Sequence, residues 1–178
     1  MDEGVRTPNN LVELVEQYSA LLYRYAYRLT GSTAEAEDLT QQTFLSAHAK
    51  FSQLRNTEHA KSWLCTILRN AYLKSRRSAS GRPFLLGDQH RELAAETIPE
   101  GPFDSEEVQQ ALDELPDDFK IPLVMFYFQD MSYREIAEEL EIPVGTVMSR
   151  LARAKSSVRI TLEQRLVQYT GEKSPRGT

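Results

Sequence analysis

Apolar residues recur along this chain at helical spacing, and nowhere with the alternation of a strand. Leu11, Val15, Tyr18, Leu22, Tyr25 and Leu29 follow one another at steps of four, three, four, three and four, the period of an amphipathic helix that Gly31 ends. Ser32 followed by Glu35 is a capping box and predicts a second helix from Thr33 to about Phe51. Leu39, Ala47 and Phe51 fall among its apolar positions, and Asp38, Gln41 and Gln42 on an exposed side. A polar loop, Ser52 to Glu58, leads into a third helix in which Ala60, Trp63, Leu64, Ile67, Leu68, Ala71 and Tyr72 share a face. These three helices, residues 11–78, are expected to form one bundle.

Residues 79–104 hold no period and carry Ser-Ala-Ser-Gly-Arg-Pro near one end and Pro-Glu-Gly-Pro near the other, which predicts a flexible linker. Periodicity resumes at 105–169. Ser105 is placed to cap a short helix bearing Val108, Ala111, Leu112 and Leu115, stopped by Pro116. The next runs from about Asp118 to Gln129 with Phe119, Leu123, Phe126 and Tyr127, and Pro122 lies close enough to its start to cost little. The first ten residues and the tail beyond Tyr169 are polar and expected to be frayed or disordered.

Ser132 with Glu135 forms another capping box, opening a helix from Tyr133 to Leu140 with Ile136, Ala137 and Leu140 inward. Pro143 cannot continue it. A following helix from about Val144 sets Val147, Leu151, Ala154 and Val158 on one face, with Thr146, Ser149, Arg150 and Arg153 expected on the opposite one. Two short helices joined by a tight turn are a helix-turn-helix, whose second helix enters a DNA major groove. Short hydroxyls allow close approach, Arg150 and Arg153 can fork onto guanine, and Lys155, Arg159 and Arg165 extend the positive charge. Those later cations also suit the helix C-terminal dipole.

Composition refines this all-α picture. The 178 residues, 40% of them hydrophobic, suffice for two small cores or one medium one. A net charge of −5 argues against nucleic acid until its distribution is considered. Arg69, Lys74, Arg76, Arg77 and Arg82 form a run without an acid, and Glu92 to Asp118 holds ten acids without a Lys or Arg. Lone Cys65 excludes a disulfide framework or a cysteine zinc site, and three histidines with no glycine-rich phosphate loop supply no catalytic constellation. No cofactor, metal or small-molecule substrate is expected. The start lacks the character of a signal peptide and no apolar run approaches a membrane span, so a cytoplasmic protein without membrane insertion is expected.

Each half also resembles a domain of one family, the extracytoplasmic-function (group 4) sigma factors of the sigma-70 family. Asp-Leu-Thr-Gln-Gln-Thr-Phe (Asp38 to Phe44), Trp63-Leu64 and Arg69-Asn70 resemble its domain two. Leu115-Pro116, the run from Ser132 to Glu138 and the run from Gly145 to Ala154 resemble its domain four. The resemblance implies a three-helix domain two and a four-helix domain four joined by the acidic linker, which would lie in the polymerase cleft. It implies a promoter-specificity subunit of RNA polymerase that helps melt the promoter and is not itself an enzyme. Asp38, Leu39, Gln41 and Phe44 match the helix that docks on the beta-prime clamp coiled coil, although Leu39 and Phe44 suit the bundle core equally. Leu54 to His59 match the loop that captures a flipped minus-ten base, with Leu54, Asn56, His59, Lys61, Asn70 and Lys74 as its candidates. Arg134, Thr146, Ser149, Arg150, Arg153 and Lys155 match the reader of the minus-thirty-five element. The family often has an acid where Gln42 stands and a Phe where Leu54 stands. Core polymerase, promoter DNA and an anti-sigma factor are the implied partners. The alternatives are a helix-turn-helix regulator acting alone, which leaves the match from Asp38 to Asn70 unused, and a protein-only decoy that binds no DNA.

Overall fold

The computed structural model of the protein describes residues 11–54, 56–80 and 106–172, with side chains placed at 11–54, 56–76 and 106–165. The first ten residues, most of the linker, the Ser105 cap, the side chains of Arg77 and Tyr169, Arg82 and the tail, with the expectations placed on them, lie outside the described residues. Among the described residues there are seven α-helices and no strand. They form two compact units, one from the first three helices and one from the last four.

The first unit comprises α1 (Leu11–Thr30), α2 (Thr33–Ala49) and α3 (Ala60–Ser80), each touching the other two. Its core is Leu14, Tyr18, Leu22, Tyr25 and Leu29 of α1 with Leu64, Leu68 and Tyr72 of α3. Val15 was expected in this stripe, yet it is exposed and Leu14 takes the inward place. Leu14 lies four residues before Tyr18, so it extends the line of Tyr18 and Leu22 that Val15 leaves. The corner between α1 and α2 takes two residues. Gly31 adopts φ 69° and donates its amide to the Tyr27 carbonyl (2.9 Å), and Ser32 Oγ accepts from the Glu35 amide (3.4 Å). Thr43 is fully buried on α2 because its hydroxyl donates to the Leu39 carbonyl at 2.7 Å. The second helix stops at Ala49, and Phe51 opens a short 3-10 turn, Phe51–Gln53, so it is not part of the helix.

The second unit comprises α4 (Glu106–Asp113), α5 (Asp117–Phe128), α6 (Tyr133–Leu140) and α7 (Val144–Glu172). α7 packs against all three of the others. Pro116 caps α5 with its carbonyl, which accepts from the Phe119 and Lys120 amides at 2.9 Å each, and Pro122 is buried in the helix. Both halves of the capping box on α6 are present: Ser132 donates its amide to Glu135 Oε2 (2.7 Å), and its hydroxyl accepts from the Glu135 amide (3.3 Å). The Ser132 amide first, and its side chain second, hold the Glu135 carboxyl below its ordinary pKa. The same helix ends with Glu141 left-handed at φ 54° and the Ile142 amide donating to the Ala137 carbonyl (3.0 Å), a Schellman turn that tucks Ile142 into the core. Leu140, expected inward, is half-buried. Three residues thus connect α6 to α7, and the Pro143 carbonyl receives the Thr146 amide (2.9 Å) as α7 starts.

Candidate functional site

Along α2, residues 38, 41, 42 and 45 share one side at helical spacing. Asp38, Gln41 and Gln42 are exposed there, and Leu45 is 70% exposed. Leu39 points the other way. At 6% exposure it belongs to the bundle core, which corrects its assignment to a docking surface, and Phe44 is half-buried. The reason is angular: Leu39 lies on the line of Ala36, Thr43 and Ala47, all fully buried. Leu45 escaped the sequence reading because one leucine outside an apolar stripe gives no periodic signal.

Beside Leu45 a groove of about 670 Å³ opens between α2 and α3. Gln42 and Leu45 line it from α2, Lys50 from just past that helix, and Ile67, Asn70 and Lys74 from α3. Asn70 and Lys74, four residues apart, are both exposed. Arg69 is buried, so the basic run does not present every cation to solvent.

Before α3 the chain makes a second 3-10 turn, Thr57–His59. Asn56 caps it: its carbonyl oxygen accepts from the Glu58 amide (2.9 Å), and its amide nitrogen donates to Glu58 Oε2 (3.0 Å). Asn56, assigned as a base-reading donor, is exposed and also shapes the loop, with both ends of its side chain bonded to Glu58. His59 is exposed, Leu54 and Lys61 are half-buried, and the His59 carbonyl accepts from the Ser62 hydroxyl (3.0 Å). Trp63, placed on the apolar face, is half-buried. Cys65 of α3 is buried, and burial raises its thiol to about 11 against the smaller opposing pull of Lys61 and Arg69, so it is a poor nucleophile at neutral pH.

The recognition helix requires the largest correction. Arg150 does not face solvent with Thr146, Ser149 and Arg153; it is 1% exposed, with Nη1 4.0 Å from Asp118 Oδ1 of α5. Three residues beyond Val147 it lies about 60° round the helix, beside the buried stripe of Val147, Leu151, Ala154 and Val158 rather than opposite it. Lys155 is likewise half-buried, its ammonium over the rings of Phe126 (4.7 Å) and Tyr127 (5.6 Å), where desolvation lowers its pKa. Arg165 bonds Gln110 of α4 and pairs at 3.0 Å with Glu114 just past that helix, and Arg159 lies 3.8 Å from Glu163. These cations hold α7 within its unit or sit on its own acids.

What remains outward is narrower. Gly145 and Met148 are exposed, Thr146, Ser149, Ala152 and Arg153 are half-exposed, and Arg134 of α6 is exposed. Ser149 donates its hydroxyl to the Thr146 carbonyl (3.0 Å). Met148 and Ala152 were missed because apolar residues outside the stripe were not considered as readers; their angle round the helix was the available signal. Among the described residues, no cluster of three or more His, Cys, Asp or Glu could hold a metal, and no helix is long and apolar enough to cross a membrane.

Residues 14–82 match the family model for Sigma-70 region 2, and residues 105–158 that for Sigma-70, region 4. The chain is 33% identical over 155 residues to ECF RNA polymerase sigma factor SigL of Mycobacterium tuberculosis, covering 85% of this chain and 88% of that one. It is 28% identical to ECF RNA polymerase sigma factor SigW of Bacillus subtilis, covering 83% and 86% respectively. Among solved structures it resembles the sigma factor RpoE of Bartonella quintana in complex with the anti-sigma factor NepR, with a TM-score of 0.62, 25% identity, and coverage of 83% of this chain and 95% of that one. With both regions in order and relatives alike over nearly their whole length, the chain belongs to the extracytoplasmic-function RNA polymerase sigma factors of the sigma-70 family, which serve transcription initiation.

Proposed function

We propose that the sigma activity of this chain is divided among three surfaces. The outward row of α2, Asp38, Gln41, Gln42 and Leu45, docks on the clamp coiled coil of core RNA polymerase. A leucine left 70% exposed between polar neighbours supports this reading best, because an apolar anchor in a polar rim is what a helix-on-helix interface uses. Asn70 and Lys74 across the groove, with the loop from Leu54 to His59, hold the melted minus-ten strand. Arg134, Thr146, Ser149 and Arg153 read the minus-thirty-five duplex, Arg153 supplying the donor fork. The protein recruits, positions and opens; it catalyses no reaction itself. It works in the cytoplasm with the polymerase. An anti-sigma factor is its regulatory partner, as the complex of the Bartonella relative suggests.

Transcription reconstituted from core polymerase with and without this protein tests the whole reading: some promoter must depend on its addition. Leu45→Asp should leave the fold intact and abolish assembly with core enzyme. Asn70→Ala combined with Lys74→Ala should impair transcription from duplex template and be partly rescued by a pre-melted bubble. Equal defects on both templates would remove these residues from the melting step.

A further inference from the structure

Resting on the assignment of α7 as promoter reader, we propose that Met148 and Ala152 select thymine through its 5-methyl group, at two nearby positions of the minus-thirty-five element. The buried residues Val147, Leu151, Ala154 and Val158 fix the inward side of α7. At 100° per residue the outward arc then runs through Gly145, Met148, Ser149, Ala152 and Arg153. Met148 is 52% exposed there, a large apolar side chain in the first turns of the helix. Ala152, half-exposed, follows one turn on, so the two are neighbours on the surface. Gly145 has no side chain to hold the helix off the groove floor.

The polar chemistry of the arc is limited. The Ser149 hydroxyl donates to the Thr146 carbonyl, so toward a base it offers lone pairs, and Arg153 offers donors. Met148 and Ala152 can gain only by covering apolar surface. On the major-groove edge of the base pairs that surface is the thymine methyl group. Cytosine or a purine at these positions would leave Met148 against polar groups, with nothing returned for desolvating them.

The experiment uses the full-length protein assembled with core RNA polymerase. Duplexes are selected from a random-sequence library, and the selected duplex is then made with thymine or uracil at each minus-thirty-five position in turn. At two nearby positions, removing the methyl should weaken binding about fourfold, the effect of burying one methyl group. Met148→Ser, which keeps the fold because the residue is exposed, should bind thymine and uracil equally at one of them, and Ala152→Ser at the other. The proposal is overturned if the wild-type assembly binds thymine and uracil duplexes equally throughout, or if both variants keep full discrimination. An assembly that retains no duplex at all overturns the promoter-reading assignment along with it.

Discussion

The helices α2 and α7 each carry a surface assigned to a partner, yet they differ in how much of their perimeter is left to offer one. α2 packs against α1 and α3, and its far side stays open: Asp38, Gln41, Gln42 and Leu45 all reach solvent. α7 is packed by α4, α5 and α6. Side chains at the margin of its apolar stripe are therefore covered, and Arg150, Lys155 and Arg165 are used within the unit. A unit this small has little apolar surface to bury, so the aliphatic stems of its cations complete the packing. Lys120, buried 3.7 Å from Asp113, does the same on α5. A cation on a recognition helix is thus no guide to reading unless the number of packed neighbours is known.

The sharpest test of this contrast sets two arginines of one helix against each other. Arg150→Ala should destabilise the second unit by about 3 kcal/mol, since it removes a buried stem and takes the guanidinium away from Asp118. A melting curve matching wild type would break the comparison, because Arg150 would then not be holding α7. Arg153→Ala should move the melt far less than Arg150→Ala and weaken binding to a selected promoter by about 1–3 kcal/mol, the worth of a bidentate base contact. Should the two variants exchange these phenotypes, the rotation assigned to α7 is wrong.

Much of the fold could be read from the chain because its signals were local. The period of α1, the corner at Gly31 and Ser32, the capping box at Ser132 and the break at Pro143 each depend on a few adjacent residues. The choice of Val15 over Leu14 failed because both fit near one edge of a stripe, and only the neighbouring helices decide which is covered. The same ambiguity displaced Leu39 and Arg150, one residue type suiting an interface and the other a groove, while packing placed both inside. Asn56 illustrates a different limit. Its type suits base recognition, but the turn it caps uses the same atoms, and that competition becomes visible only with the loop geometry.

Smaller effects sharpen the picture at the turn that presents α7. Glu141 holds a left-handed conformation at φ 54°, costing about 1 kcal/mol that glycine avoids, so Glu141→Gly should stabilise the second unit by up to about that amount in urea denaturation. A loss of stability would mean that the Glu141 side chain supports the turn. The Glu135 carboxyl, held below its ordinary value by its bonds to Ser132, contributes stability that is present above that ordinary value and is lost as pH falls through its lowered pKa. Amide exchange at the start of α6, corrected for intrinsic rates, should quicken across that acid window in the wild type. In Glu135→Gln it should show no such step.

Burial of Arg150 also bears on how such a protein changes its targets. The inward side of α7, with Arg150 near Asp118, keeps the helix in place, whereas Met148 and Ala152 contribute little to holding it. Substitutions at those two positions alter which sequence is preferred at almost no cost in stability, so they fall outside the threshold that removes most mutations from a small domain. After gene duplication, two copies of this chain can therefore diverge toward separate sets of promoters while both stay folded and both still fit the same polymerase.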